Sequence, residues 1–296
     1  METILINRKS LLEKHKKSDY WFDYEYNLNL YSGANQDCIY CDGENEMIEF
    51  DPFAEIKIKL NAPSLLEIEL SNKRIKGIIG LGAMTDPYNP FEKRYELTRK
   101  TLEILKKYEY GVIIITRSKL LERDLELLTQ INQKEKVICV VKIACADNEM
   151  AKKVEPDAST PDERFRMIKA LTDRNITTGV AFMPVLPFIN DQEDNINKII
   201  EKAKMSGASF VYPWFDIYLF PEKRRFYFHN LDKHFPGMKE KYQKTFGDEI
   251  LCQSPDKERL IALIEAKCVK ENIICNLEEI NRLFDKKTDF EQLSLL

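Results

Sequence analysis

Between residues 75 and 215 the chain alternates short apolar runs with longer amphipathic segments. The apolar runs are rich in Val, Ile and Phe and have the length of strands, so they predict strands. These five runs cover residues 75–83, 111–116, 137–143, 178–184 and 208–214. An earlier run at residues 26–31 has the same character and predicts a sixth strand.

The segments between these runs follow the period of an amphipathic helix. In residues 119–132 the apolar side chains form one stripe, made of Leu120, Leu121, Leu125, Leu127, Leu128 and Ile131. Residues 91–108, 161–175 and 191–206 show the same spacing. Thr160 and Pro161 predict the start of the helix over 161–175, as an N-cap and a first-turn proline.

Strands that alternate with helices of this length predict right-handed βα units around a parallel sheet. Six units are too few for a closed eight-stranded barrel. We therefore predict an α/β fold, a partial (βα)6 barrel over residues 1–219. Residues 220–296 change to a polar, aromatic segment followed by helical patterns, which predict a C-terminal α-rich cap packed on the barrel. Reactive groups are expected on loops at the carboxyl ends of the strands.

Composition narrows the classes of protein to consider. The 296 residues are 44% hydrophobic and 32% charged, with a formal net charge of −4, which argues against a general nucleic-acid binder. No apolar run is long enough to cross a bilayer, and residues 1–17 lack the pattern of a signal peptide. We expect a cytoplasmic protein with no membrane partner. Its seven cysteines are then expected to be reduced thiols.

The strongest chemical signal follows the first predicted strand, where residues 31–42 read Tyr-Ser-Gly-Ala-Asn-Gln-Asp-Cys-Ile-Tyr-Cys-Asp. Two thiols at the spacing of Cys38 and Cys41 suit a metal site or redox chemistry, but need partners elsewhere. With Tyr40 just before the second cysteine, the loop over residues 33–46 resembles the CxxxCxxC cluster loop of radical S-adenosylmethionine (SAM) enzymes. Ala34 stands at the position of the first cysteine.

The resemblance continues along most of the chain and points to the spore photoproduct lyase-like (DNA repair photolyase-like) group. Residues 80–90, with Glu92 and residues 97–99, are similar to its glycine-rich second strand, which ends in (Thr/Ser)-Asp-Pro-Tyr. The other matching elements follow in the family's order, at residues 115–118 with 123–124, 155–156 with 161–164, 183–191 and 235–247. Five such elements in one order carry more weight than any one of them.

This resemblance implies a 4Fe–4S cluster held by three thiolates, which leaves one iron for SAM. It further implies reductive cleavage of SAM to a 5′-deoxyadenosyl radical, with an external electron donor such as flavodoxin or ferredoxin. Cys38 and Cys41 would be cluster ligands, and Ala34 marks the missing third. The residues that the resemblance places near SAM are Tyr40, Gly82, Thr85, Asp86, Arg117, Glu155 and Arg164.

Each of these assignments has a structural alternative that the sequence leaves open. Asp86 and Thr85 offer acceptors for the SAM ammonium group, but Asp86 before a proline also predicts a β-turn. Arg117 could bind the SAM carboxylate through two hydrogen bonds, or pair with acidic neighbours on the surface. Glu155 could hold ribose hydroxyls, or form a structural bridge with Arg164.

The methyl group of Ala34 coordinates nothing, so we predict a radical SAM enzyme of lyase-like type that is impaired in this chain. Either a cysteine was replaced by design, or this is a natural relative that has lost the cluster. Two other functions remain open, a cluster-less SAM-binding protein and a nucleic-acid-binding module acting through residues 221–229, where basic and aromatic residues interleave.

The substrate is not predicted beyond nucleic acid or a small molecule. Spore photoproduct lyases proper use a cysteine near the second strand as hydrogen-atom donor, and residues 82–85 contain no thiol. Repair of thymine dimers therefore does not follow from the resemblance. We expect Cys139 in the core, Cys145 near the cavity, and Tyr212 and Trp214 along the substrate cavity.

Overall fold

The computed structural model describes residues 3–16, 21–33, 38–40 and 56–284. Within these ranges the strands are β1 (Thr3–Ile6), β2 (Glu13–Lys14), β3 (Tyr26–Leu28), β4 (Tyr31–Ser32), β5 (Ile56–Lys59), β6 (Ile78–Leu81), β7 (Gly111–Thr116), β8 (Val137–Lys142), β9 (Thr177–Phe182), β10 (Phe210–Pro213), β11 (Ile217–Tyr218) and β12 (Leu251–Cys252).

The helices of the same described ranges are α1 (Ala62–Ser71), α2 (Glu92–Tyr95), α3 (Leu97–Tyr108), α4 (Leu125–Asn132), α5 (Asn148–Val154), α6 (Pro161–Thr172), α7 (Glu193–Met205), α8 (Pro221–His234), α9 (Met238–Phe246), α10 (Lys257–Glu271) and α11 (Leu277–Arg282), with a 3-10 helix over Lys119–Asp124. No helix in this part of the chain is both long and apolar enough to span a membrane.

The main sheet has the strand order β10-β9-β8-β7-β6-β3-β2 among the described residues. The six strands from β10 to β3 in this order run parallel, and β2 pairs antiparallel with β3 at one edge. Since β10 and β2 are the two edges, the sheet is open. The prediction of a parallel α/β fold with six strands in a partial barrel is confirmed.

Both faces of the parallel strands are buried, which explains their nearly continuous apolar sequences. Val112 and Ile114 of β7 belong to the layer that packs against the helices, together with Cys139 of β8, which is fully buried as predicted. Ile113 and Ile115 belong to the opposite layer, which fills the interior of the barrel.

Aromatic rings fill that interior where glycines leave space for them. A Cβ atom on Gly80 would lie 2.3 Å from the ring of Tyr24, and one on Gly179 would lie 2.2 Å from the ring of Phe210. Phe22 stacks on Phe284 with a centroid distance of 5.7 Å. Segments from both ends of the described chain therefore close the interior of the sheet.

Several elements differ from the sequence prediction. The helix predicted over residues 91–108 is two helices, α2 and α3, separated by Glu96, whose φ is 51°. The helix predicted over 119–132 starts as a 3-10 helix before α4. The strand predicted over 26–31 is divided between two sheets, because β4 pairs with β5 in a small sheet with β1 that was not predicted. Helix α1 was not predicted either.

Thr160 caps α6, as the sequence predicts, in a reciprocal capping box with Glu163.

The C-terminal residues form helices, and they contact the barrel at several levels. Helix α10 packs against α7. Ile274 bridges to Phe210 at the edge of the sheet, and Ile280 of α11 lies in the interior layer. Strands β11 and β12 pair across the predicted boundary at residue 219. The division into a barrel and a separate cap remains a prediction.

Candidate functional site

The site lies where the segment that contains Cys38 meets the carboxyl ends of β6 and β7. The thiol of Cys38 is nearly inaccessible, with 3% of the residue exposed. Ile39 donates its N–H to the carbonyl of Val154 at 3.0 Å, which ties this segment to the end of α5. Ala34 and Cys41, with most of the loop predicted over residues 33–46, lie outside the described residues.

Arg117 joins the two motifs that the sequence analysis treated separately. Its Nη1 donates to the Sγ atom of Cys38 at 2.7 Å and to the hydroxyl of Tyr40 at 3.0 Å. The guanidinium carbon also lies 5.6 Å from the centre of the Tyr40 ring. Arg117 is therefore directed inward, toward the predicted cluster ligand, and the alternative of a surface pair does not hold.

Asp86 fixes the backbone from which Arg117 extends. Its Oδ2 accepts the Arg117 N–H at 2.9 Å, and its Oδ1 accepts the Thr116 hydroxyl at 2.6 Å. Oδ1 also accepts the N–H of Tyr88 at 2.9 Å, the local bond of an Asx turn. Asp86 thus builds the predicted turn and, in addition, fastens the ends of β6 and β7 together. Thr85 lies half-buried beside it.

Glu155 is the shared acceptor of the site. Its Oε2 forms an ion pair with Arg164 Nη2 at 2.6 Å, and each side chain is 1% exposed. Its Oε1 accepts the hydroxyl of Tyr40 and lies 3.5 Å from Arg117 Nη1. Arg164 also donates to the carbonyls of Ser159 and Lys142, each at 2.8 Å. The structural bridge between Glu155 and Arg164, one of the two alternatives, is present.

These neighbours set the charges of the buried groups. Burial acts to raise the pKa of Glu155, but the guanidinium groups of Arg164 and Arg117 outweigh it, so the pKa is lowered and the carboxylate stays ionised. Burial and the Glu155 carboxylate raise the pKa of Tyr40 despite Arg117, so its hydroxyl stays protonated and can donate. The result is a buried network of two cations around one carboxylate.

Gly82 is required by the backbone. Its φ is +93°, and a Cβ atom would lie 2.0 Å from the carbonyl oxygen of Ile115. The resemblance places this glycine near SAM. The structure shows a close approach between the ends of β6 and β7.

A second buried network beside the site was not foreseen as such. Glu92 and Asp124 are both fully buried, and Arg123 Nη2 bridges them at 2.7 Å to each. Asp124 also accepts Arg99 Nη1 at 2.6 Å and the Tyr88 hydroxyl at 3.1 Å. These residues had been matched only as elements of the resemblance. The adjacent opposite charges at 123–124 were the available signal, but nothing in their spacing indicates burial.

A metal centre at this site would need enough side chains that can ligate it. A 4Fe–4S cluster that leaves one iron open requires three thiolates. Among the residues that the structure describes, no group of three or more His, Cys, Asp or Glu side chains is arranged to hold a metal ion. The sequence adds Cys41 to Cys38, but Ala34 at the third position. The residues present do not fit a three-thiolate cluster.

Cys145 is the other thiol near this region. It is buried in the same apolar cluster as Cys38 and Tyr40. Burial raises the pKa of its thiol, which keeps it neutral. It therefore packs as a small apolar residue beside the site.

Tyr212 and Trp214 lie at the end of β10 with Trp21 against them. The rings of Trp21 and Trp214 are edge-to-face at 6.1 Å, and Trp21 is 6.5 Å from Tyr212. Trp21 and Trp214 are half-buried. The two aromatics that sequence analysis assigned to the cavity thus lie together on the inner side of the sheet.

Comparison with known sequences gives relatives without an assigned function. No family model matches the chain. Uncharacterized proteins of Mycobacterium tuberculosis and Mycobacterium bovis are 27% identical over 230 residues, which is 75% of this chain and 67% of theirs. One from Methanocaldococcus jannaschii is 27% identical over 173 residues, 57% of this chain and 63% of its own length.

Comparison with solved structures identifies the fold. A spore photoproduct lyase with bound AdoMet and dinucleoside spore photoproduct aligns over 90% of this chain and 78% of its own, with a TM-score of 0.65 and 14% identity. A radical SAM methyltransferase from Kitasatospora setae, with tryptophan and a SAM analog bound, aligns over 81% of this chain and 51% of its own, with a TM-score of 0.56 and 12% identity. The chain has the partial-barrel fold of radical SAM enzymes.

Proposed function

We propose that this chain is built as a radical SAM enzyme that binds SAM at the mouth of the partial barrel. In an Ala34→Cys chain, Cys38 and Cys41 would hold a 4Fe–4S cluster together with the added thiolate, and that cluster would supply the electron for cleavage of SAM to a 5′-deoxyadenosyl radical. With Ala34 at the position of the third ligand, the chain is impaired in that chemistry. The observation that carries the proposal is the 2.7 Å contact between Arg117 Nη1 and Cys38 Sγ.

This contact matters because of what the resemblance requires. In radical SAM enzymes the amino and carboxylate groups of SAM bind the iron that no cysteine ligates. A cation that binds the SAM carboxylate must therefore lie close to a cluster cysteine. Arg117 and Cys38 come from two motifs that were matched independently, and they meet this condition on a fold shared with such enzymes over most of the chain.

The site residues divide into two groups by exposure. Arg117 is 14% exposed at its side chain, and Asp86 and Thr85 are half-buried, so these three are the residues proposed to contact SAM. Glu155 and Arg164 are buried and bonded to each other, so we assign them to holding Arg117 and Tyr40 in place. Gly82 allows the two strand ends to meet. An external electron donor, such as flavodoxin or ferredoxin, is part of the proposal.

The substrate remains a nucleic acid or a small molecule. The spore photoproduct lyase structure contains a dinucleoside photoproduct. Residues 82–85 of this chain, near the place where that group's hydrogen-atom donor is expected, contain no thiol, and Met84 among them is 57% exposed. A lyase reaction of the same kind is therefore not proposed for this chain.

The segment proposed as a nucleic-acid-binding module, residues 221–229, lies entirely within helix α8. Its Arg224 pairs with Asp248 and its Arg225 pairs with Glu222, while Tyr227 is fully buried. Paired cations and a buried ring are poorly suited to binding phosphates and stacking bases. These contacts favour a packing role for α8.

Anaerobic reconstitution tests the proposal with three chains: the parent chain, Ala34→Cys, and Ala34→Ser as the matched control. We expect Ala34→Cys alone to gain roughly four irons, one 4Fe–4S cluster, and to release 5′-deoxyadenosine from SAM. SAM binding by all three chains with no gain of iron would instead support the cluster-less SAM-binding protein. No gain of iron and no SAM binding in any chain would refute both.

A further inference from the structure

Glu92 is a buried carboxylate whose oxygens are both occupied. It is fully buried at the start of α2, in the loop that follows β6. Its Oε2 accepts the hydroxyl of Tyr31 at 2.6 Å and the N–H of Thr98 at 2.9 Å. Its Oε1 accepts Arg123 Nη2 at 2.7 Å and the N–H of Arg99 at 3.2 Å. Four donors from four residues therefore converge on one carboxylate.

One of these donors leads to the Cys38 segment. Tyr31 lies in β4, the strand that ends one residue later at Ser32 and precedes Cys38 in the sequence. The Tyr31 side chain is itself buried, with 1% of the residue exposed. The bond to Glu92 thus fixes the end of the strand from which the Cys38 segment departs.

The other donors to Glu92 connect it to Asp86 through further hydrogen bonds. Arg123 connects Glu92 to Asp124, which accepts the hydroxyl of Tyr88, and the N–H of Tyr88 donates to Asp86. Thr98, whose N–H binds Glu92, donates its hydroxyl to the carbonyl of Pro87 at 2.6 Å. Both connections hold the turn in which Asp86 orients Arg117.

Charge balance alone does not explain the Tyr31 bond. The buried carboxylates of Glu92 and Asp124 already pair with Arg123, and Asp124 also pairs with Arg99. The same two arginines form longer pairs with the exposed carboxylates of Glu96 and Glu103. The neutral hydroxyl of Tyr31 adds no charge, but it is the contact that joins this network to β4. Its geometric effect is to set the position of β4 relative to the loop after β6.

We propose that Glu92 is a positioning residue that holds the strand leading to Cys38 against the turn that orients Arg117, and so maintains the contact between Cys38 and Arg117. The consequence of this positioning for SAM binding rests on the proposed function. The effect of Glu92 on Cys38 does not, because the position of the thiol can be measured without any ligand.

Two variants test this, each with a control. Tyr31→Phe removes only the hydroxyl that reaches Glu92, and its control is Tyr110→Phe, since the buried hydroxyl of Tyr110 has no hydrogen-bond partner among the described residues. Glu92→Gln breaks the convergence of four donors, and its control is Ile264→Ala, which opens a cavity at a buried position of α10 away from the site. If Glu92→Gln does not fold, Tyr31→Phe alone decides the question.

The measurement is the rate at which N-ethylmaleimide modifies Cys38 in the native protein, followed by peptide mass spectrometry. We expect Tyr31→Phe and Glu92→Gln to raise this rate by about tenfold or more, the population change that follows loss of a hydrogen bond to a charged group. Tyr110→Phe should leave the rate unchanged, and Ile264→Ala should raise it only as far as it lowers the free energy of unfolding.

The opposite pattern would overturn the proposal. If the rate at Cys38 follows the free energy of unfolding equally in all four variants, Glu92 stabilises the fold and positions nothing. Equilibrium dialysis with labelled SAM, on the same variants, then tests the consequence for the site. Failure of the parent chain to bind SAM would count against the proposed function only, because modification of Cys38 still decides the role of Glu92.

Discussion

Glu155 and Arg164 form an ion pair that is almost completely withdrawn from water, with 2.6 Å between Oε2 and Nη2. Glu155 follows the last residue of α5, and Arg164 lies in the first turn of α6. The pair therefore fixes the two helices at the level where Cys38 and Arg117 meet. Because the same carboxylate also accepts Tyr40, its removal would leave several buried donors without an acceptor.

We predict that Glu155→Gln lowers the free energy of unfolding by about 3–5 kcal/mol, the usual cost of removing one partner of a buried ion pair. The control is Asp162→Asn on α6, which breaks the exposed pair with Lys202 and should cost less than about 1 kcal/mol. Urea unfolding of the two variants measures both values. Equal losses in the two variants would show that the Glu155 pair contributes no more than a surface pair.

The same carboxylate predicts a pH dependence of stability. The pKa of Glu155 is lowered in the folded chain from its ordinary value of 4.5. Its contribution is therefore complete above that value and is lost as the pH falls through the lower, folded pKa. We expect the free energy of unfolding to fall less steeply with acid in Glu155→Gln than in the parent. Parallel curves below about pH 4.5 would contradict a lowered pKa.

Arg117→Ala should weaken SAM binding in the Ala34→Cys chain. Loss of a charge-assisted hydrogen bond costs about 1.5–3 kcal/mol, which corresponds to roughly a 10- to 100-fold increase in the dissociation constant. Lys119→Ala serves as the control, because that side chain is 57% exposed and pairs with Glu163 at the surface. Calorimetry measures both constants. An unchanged dissociation constant for Arg117→Ala would limit Arg117 to its contacts with Cys38, Tyr40 and Glu155.

The variants Gly82→Ala and Gly237→Ala separate two costs of adding a Cβ atom. One is the cost of a positive φ for alanine, and the other is a steric clash with neighbouring atoms. Both glycines have positive φ, at +93° and +81°. A Cβ atom at 82 would collide with the carbonyl of Ile115, whereas one at 237 would meet nothing within 4 Å. We expect Gly237→Ala to cost about 1–2 kcal/mol of stability and Gly82→Ala to cost distinctly more, or to prevent folding.

Thermal unfolding and the yield of soluble protein compare these two glycine variants. A Gly82→Ala chain as stable as Gly237→Ala would mean that β6 and β7 can separate at their ends without loss. In that case, the placement of Gly82 near SAM, which the resemblance implies, would be the remaining reason for a glycine at this position.

Some features of the fold and the site could be predicted from the sequence. They are the features that follow from hydrophobic periodicity and from position along the chain. The six parallel strands followed from apolar runs separated by helical spacing. Cys38, Asp86 and Arg117 came together because residues that follow neighbouring parallel strands meet at one edge of the sheet. These inferences need no knowledge of which side chains touch.

The parts that sequence missed depend on contacts distant in the chain. The break at Glu96 occurs where the Glu92 carboxylate binds the N–H groups of Thr98 and Arg99, an arrangement that no local propensity indicates. The strands β1 and β4 are too short for a periodic signal. The sequence also could not decide between the two roles predicted for Glu155, because an ion pair with Arg164 and a bound ribose would use the same carboxylate oxygens.

The filling of the barrel interior by Phe22 and Phe284 has a consequence for how the protein is made. The N–H of Asp23 donates to Asn281 Oδ1, across a sequence separation of 258 residues. At roughly 5–20 residues per second, a ribosome needs on the order of 10–50 s to synthesise that interval. For all of that time the inner face of the sheet lacks the rings of its last segment. The nascent chain must therefore pass most of its synthesis with an apolar surface open to chaperones, and to other nascent chains.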